Sequence, residues 1–174
     1  QLGGTLDNPA IALTGEITEG TLASYPVSRV VMDVALADDV LTLRTLTGNQ
    51  GDGAFSVSGT ADFNGAANVD IAASDIALGM FTRFAGVEEE VTGTATLTAH
   101  IGGITRSPEA DMHLMAKDGG MRGNSFDELL GEVKLRDSVI HLNQLMVTKY
   151  IDGTRYMASA HGKLPLRALT AKRN

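Results

Sequence analysis

From Val91 to Gly102 the chain reads VTGTATLTAHIG, with threonine or histidine at every even position from Thr92 to His100 and Val91, Gly93, Ala95, Leu97, Ala99 and Ile101 at the odd ones. Side chains of a strand point alternately to its two faces, so this stretch predicts a strand with a β-favouring polar stripe on one side and an apolar stripe on the other. What covers the apolar stripe is the question that constrains the fold. The same alternation recurs in Ala54–Phe63, where Phe55, Val57, Gly59, Ala61 and Phe63 oppose Ser56, Ser58, Thr60 and Asp62, and in Asn68–Ala73 with Val69 and Ile71. Clusters such as GNQGDG at Gly48–Gly53 and FNGAAN at Phe63–Asn68 separate these runs, so about a dozen short strands are expected.

Two hairpins can be read with their registers. In MDVALADDVLTL (Met32–Leu43), a two-residue turn at Asp38-Asp39 sets Leu36 opposite Leu41 and Val34 opposite Leu43. In EVKLRDSVIHL (Glu132–Leu142), a turn at Asp137-Ser138 pairs Leu135 with Ile140 and Val133 with Leu142. Corresponding residues of the two hairpins stand 99 positions apart, as do Pro9 and Pro108, and Gly20 and Gly119. With a small insertion Gly59 corresponds to Gly162, so the chain carries an internal repeat that opens on GTLDNPAIAL and GITRSPEADM. Helix is expected at most once, in GMFTRFAG (Gly79–Gly86), where Met80, Phe81 and Phe84 have helical spacing and could cap an open end of a sheet. FDELLG (Phe126–Gly131) is ambiguous alone, but its repeat counterpart Val27–Met32 favours a strand.

An antiparallel sheet with one apolar face buries it on helices, on a second sheet, on itself as a barrel, or on a ligand. Helices are too few here. A membrane barrel would turn its apolar side outward between two aromatic girdles, whereas the three Tyr and five Phe of this chain are scattered. Two options remain: a sandwich that packs dry, or a long sheet folded into an open groove. Repeated strand units adding along one axis build an extended surface, which favours the groove. The expected fold is therefore all-β: an elongated, repeat-built antiparallel sheet folded into an open groove, apolar inside and polar outside. Residues 1–174 are expected to be one such unit from a longer protein, with repeats at about 4–63 and 103–166 around a middle segment 64–102. The lining is assigned to Val34, Leu36, Leu41, Leu43, Phe55, Val57, Phe63, Val69, Ile71, Val91, Leu97, Ile101, Val133, Leu135, Ile140 and Leu142.

Composition narrows the function. Hydrophobic residues are 43% and charged residues 20% of the chain, which fits a folded protein. Aromatics are only 5%, so the interior is lined by small and branched aliphatic side chains. A net charge of −7 argues against a nucleic-acid partner, which needs clustered Lys and Arg, and the one basic cluster is the terminal Lys172-Arg173. There is no cysteine, which removes thiol chemistry and thiolate zinc sites. His100, His113, His141 and His161 lack metal-ligand spacing, and Glu88-Glu89-Glu90 reads as a solvated loop. GNQGDG lacks the spacing of a calcium loop. Ser56, Ser58 and Ser159 sit in no nucleophile elbow, and no glycine-lysine phosphate loop occurs. No catalytic residue, cofactor or metal is expected, and an enzyme is disfavoured. Arg44, Lys134 and Arg136 fall on the polar face by alternation.

Three phrases resemble a known family. GTLDNPAIALTGEI, with Gly4, Asn8 and Pro9, is similar to the G-x-x-x-N-P phrases of TamB-like proteins of the AsmA-like superfamily, large repeat-rich periplasmic proteins. Val57–Phe84, VSGTADFNGAANVDIAASDIALGMFTRF, resembles that superfamily's strand, polar turn, D-I-A-x-x-D-I-x-L and short helix. VTGTATLTAHIGGITRSPEAD resembles its third phrase, with Ser107 where Asn is usual. The resemblance covers most of the chain. It implies a taco-shaped β-sheet whose hydrophobic groove carries phospholipid acyl chains between inner and outer membranes, an outer-membrane barrel partner of the TamA type, and a link to outer-membrane protein assembly. A chaperone that receives outer-membrane protein strands on a sheet edge, and a plain structural sandwich, stay open beside that reading.

Overall fold

The computed structural model describes residues 2–4, 9–84 and 89–166. Asn8, the end of the expected helix at Ala85 and Gly86, Glu88 and the Lys172-Arg173 pair lie outside the described residues. The chain folds into a single antiparallel sheet whose strands lie side by side in sequence order. These are β1 (Leu2–Gly4), β2 (Pro9–Leu22), β3 (Tyr25–Ala37), β4 (Val40–Gln50), β5 (Gly53–Asp62), β6 (Ala67–Ala77), β7 (Val91–Ile104), β8 (Ser107–Met121), β9 (Asn124–Arg136), β10 (Val139–Ile151) and β11 (Thr154–Pro165). One helix, α1 (Leu78–Phe84), joins β6 to β7. Phe126–Gly131 is part of β9, as its repeat counterpart suggests.

Both hairpins have the registers expected from their apolar pairs, Leu36 opposite Leu41 and Val34 opposite Leu43, Leu135 opposite Ile140 and Val133 opposite Leu142. Asp38 and Asp39 have φ of 51° and 61°, and Asp137 and Ser138 have φ of 52° and 58°. Positive φ at both central residues is what a two-residue turn needs to match the twist of its strands, and Asp tolerates it better than most residues.

The strands are longer than the short runs expected, 10 to 15 residues from β2 onward. The reason is that β-bulges invert the alternation without ending the strand. In β4, Arg44 and Thr45 both fall between Leu43, opposite Gly59, and Leu46, opposite Val57. The next apolar residue therefore comes three positions on and still faces the same side. In β10, Asn143 and Gln144 do the same between Leu142, opposite Gly162, and Leu145, opposite Ala160. The two bulges are 99 residues apart and are tied in the same way: Arg44 donates to Asp33 at 2.9 Å and Asn143 donates to Glu132 at 3.0 Å.

The sheet curls round α1. Seven helical residues span about 10 Å, whereas β3 and β9 are six strand spacings, about 29 Å, apart along a flat sheet. Yet Leu22, Ala23 and Tyr25, at the β2–β3 end, pack on the cluster that holds Met80, while Phe126 and Leu129 of β9 pack on the cluster that holds Leu78. One small helix reaches both only if the sheet is bent towards it, so the face carrying α1 is the inside of the curve.

The opposite rim, the turn rim formed by the β3–β4, β5–β6, β7–β8 and β9–β10 turns, is laced by backbone and side-chain bonds. Phe63 N donates to Asp39 O at 2.9 Å, Asn64 Nδ2 to Asp39 Oδ2 at 3.0 Å, and Thr105 N to Gly65 O at 2.9 Å. Among the described residues neither edge of the sheet pairs with the other, so the curve stays open.

Candidate functional site

Following the registers from strand to strand assembles the inner face. One row runs Leu13, Val34, Leu43, Gly59, Val69, Ile101, Ala110, Leu135, Ile140 and Leu164 across β2 to β11. The next runs Gly15, Met32, Leu46, Val57, Ile71, Ala99, Met112, Val133, Leu142 and Gly162. Leu36 and Leu41 lie one step nearer the turn rim, and Phe55 and Leu97 one step nearer α1. No charged side chain interrupts these two rows. The result is an apolar trough about ten strands wide.

Of the sixteen residues assigned from sequence, thirteen are half-buried members of this face: Val34, Leu36, Leu41, Leu43, Phe55, Val57, Val69, Ile71, Ile101, Val133, Leu135, Ile140 and Leu142. Sheet neighbours shield their flanks, Phe55 and Ile71 also pack against the cluster that holds Met80, and among the described residues no further layer lies over the others. Val91 and Leu97 share the face but are buried, at 8% and 9% exposure, because α1 lies over them. Phe63 falls outside the trough floor: β5 ends at Asp62, and Phe63 stands in the following turn, 48% exposed.

The trough has one plugged end and one open end. Around α1, Ala73, Ile76, Met80 and Leu97 form one dry cluster, and Leu78, Val91, Ala95 and Ala116 form the other. The helix is tied down where it begins, since Gln50 Oε1 accepts a 2.6 Å bond from Ala77 N and Gln50 Nε2 lies 3.8 Å from Met80 Sδ. Gly79 permits the close fit: a Cβ there would meet Tyr25 Oη at 2.0 Å and the Val91 carbonyl at 2.6 Å. Gly119 does the same beneath Phe126, whose ring would lie 1.9 Å from an added Cβ. Away from α1, no layer packs on the trough among the described residues.

The outer face carries the polar stripe. Ser58, Asp70, His100, Asp111, Lys134, His141 and Lys163 form one continuous cross-strand row. Asp70 accepts from or pairs with His100 Nδ1 at 2.8 Å. Arg44, Lys134 and Arg136 also point outward and are paired there with Asp33, with Asp111 and Glu132, and with Asp111 and Glu109. The Arg136 guanidinium, 2.5 Å from Asp111, holds that carboxyl below its ordinary value. Asp127 is likewise lowered, by the Tyr150 backbone N–H and then by Lys149. Among the described residues, no group of three or more His, Cys, Asp or Glu is gathered for a metal ion.

Sequence reasoning missed Met32, Leu46, Met112, Leu114, Leu129, Leu145 and Val147, which share the apolar face with the assigned residues. The signal was present as a pair of three-residue skips, Leu43 to Leu46 and Leu142 to Leu145, at the same repeat position. Leu13 and Ile17 of β2 were also missed; they are 54% and 45% exposed. No protein-family model, curated protein or solved structure matches the chain.

Proposed function

We propose that this chain is a lipid-binding and lipid-conducting β-groove module of a TamB-like periplasmic protein, which carries phospholipid between inner and outer membranes. The observation that supports it is the open apolar trough, two rows uninterrupted by charge over which, away from α1, no layer packs among the described residues. Carrying an acyl chain through water exposes about 0.8 kcal/mol per methylene, or about 12 kcal/mol for some fifteen methylenes. A trough of aliphatic side chains removes much of that cost, and contacts without directed hydrogen bonds let the chain slide. Plugging by α1 at one end means acyl chains enter from the turn rim or across an edge. The TamB-like phrases add an outer-membrane barrel of the TamA type as partner and a role in outer-membrane protein assembly. A photo-reactive residue at Val133, with the protein incubated with phosphatidylethanolamine–phosphatidylglycerol vesicles, is expected to capture phospholipid. The same residue at Thr98 on the outer face is expected not to. Equal capture at both, or none at Val133, overturns the reading.

A second reading is supported by the exposed edges. β11 is exposed along its whole length, and such an edge can receive an unfolded outer-membrane strand by β-augmentation. Crosslinking from β11 would then capture polypeptide and not lipid.

A further inference from the structure

The geometry points to α1 as a stop that fixes how acyl chains lie in the trough. Tails run along the strands with their methyl ends against α1 and their headgroups at the turn rim, so the distance from rim to helix selects chain length. The inference rests on the lipid reading and adds orientation and length selection to it.

Cover over the trough changes abruptly along the middle strands. On β6 the inner positions, from the turn rim towards α1, are Ala67, Val69, Ile71 and Ala73. The first three are half-buried, whereas Ala73, like Leu97 opposite it on β7, is buried in the cluster that holds Met80. Because the sheet curls, α1 closes this end all the way from Tyr25 of β3 to Phe126 of β9. A chain lying along any of these strands meets the same wall.

The span in front of that wall has the length of one acyl chain. Ala73 lies six residues beyond Ala67, about 20 Å of strand. A bilayer's hydrocarbon core of about 30 Å holds two leaflets, so one phospholipid chain spans about 15 Å on average and more when straight. Across the strands the apolar rows run the width of the sheet and set no such limit.

Polarity gives the direction. Asp39, Asn64, Arg106 and Asp137 mark the four turns of the rim, where a headgroup stays in water. Beneath α1 the other end is dry: Ile76, Leu78 and Met80 are buried, and Gln50, which reaches the helix, is already bonded to Ala77 N. A headgroup placed there would lose its water and gain no partner.

Two measurements on the whole chain test this arrangement. A monoacyl phosphatidylethanolamine of about sixteen carbons with a diazirine near its methyl end is expected to label α1 and the segments holding Ala73 and Leu97. The same lipid with its diazirine beside the ester is expected to label the turn rim, and reversed or indiscriminate labelling overturns the inference. Affinity for monoacyl phosphatidylethanolamines of about 8 to about 22 carbons, read below their micelle concentrations by displacement of a fluorescent fatty acid, should rise about two- to fourfold per methylene and level off near about sixteen. Met80→Ala draws the stop back and should move the levelling point about three carbons longer, the length of side chain removed. Affinity that climbs past about 20 carbons, or a levelling point that the folded variant leaves unmoved, overturns the stop and leaves the lipid reading standing. Absence of binding at every length overturns both. Should Met80→Ala misfold, the labelling and the wild-type length series still decide.

Discussion

Ile71 and Ile76 sit on the same strand and the same face of the sheet, and truncating each to alanine measures whether the trough is open. Ile76 is 0% exposed in the cluster with Ala73, Met80 and Leu97 beneath α1. Ile71 is half-buried in the trough, opposite Val57 and Ala99. Ile76→Ala removes three carbons from a closed site, about 2.4 kcal/mol of transfer free energy plus a cavity term, for a total of about 3–4 kcal/mol. At Ile71, which borders that cluster, the same three carbons are partly in water already. The expected loss there is about 1 kcal/mol. Equilibrium urea unfolding of both variants, fitted with a common slope, reads the difference as a shift in midpoint. Equal losses of about 3 kcal/mol or more would mean that something seals Ile71 as it does Ile76, and the argument from an open trough would fail.

Three further outcomes are expected. Val57→Asp places a charge in the middle of the trough; displacing some four methylenes should weaken binding of a fluorescent acyl probe by about 3 kcal/mol, roughly two-hundredfold, with far-UV circular dichroism unchanged, whereas Ser58→Asp on the outer face should leave affinity alone. Leu97 is unsuited to the same test, because it is 9% exposed under α1 and a charge there attacks the fold. Gly79→Ala should destabilise the protein by about 2 kcal/mol in thermal unfolding, and Tyr25→Phe, which removes the hydroxyl 2.0 Å from the new methyl, should recover part of it. Asp111 and Asp127 are both held below the ordinary carboxyl value of 3.8, so their contribution to stability is fully present above that pH and disappears as pH falls through their lower folded values; Asp111→Asn should flatten the acid limb of a stability–pH curve, and an unchanged limb would refute the Arg136 assignment.

Much of the inner face was legible because a strand's side chains alternate regardless of what surrounds it. That rule alone put Val34, Leu43, Val69, Ile101, Leu135 and Ile140 on one side, and the structure joins them in one row. The turns at Asp38-Asp39 and Asp137-Ser138 fixed two registers, since a two-residue loop leaves no choice of partner. Alternation failed where a bulge adds a residue: Leu46 and Leu145 lie on the apolar face although strict counting sends them outward. Phe63 lies one residue past the end of its strand, where the alternation in the sequence continues into the turn.

Pattern and spacing determined an all-β chain, two faces of opposite polarity, a repeat of 99 residues and one short helix, because each of these depends on neighbours in sequence or on a tight turn. The curl of the sheet, the lodging of α1 at one end, the burial of Val91 and Leu97 and the openness of the remaining face were decided only by the tertiary structure. The physical reason is distance along the chain. Curvature arises where Tyr25 of β3 and Phe126 of β9 pack round the same helix, and no local periodicity encodes a contact between residues so far apart.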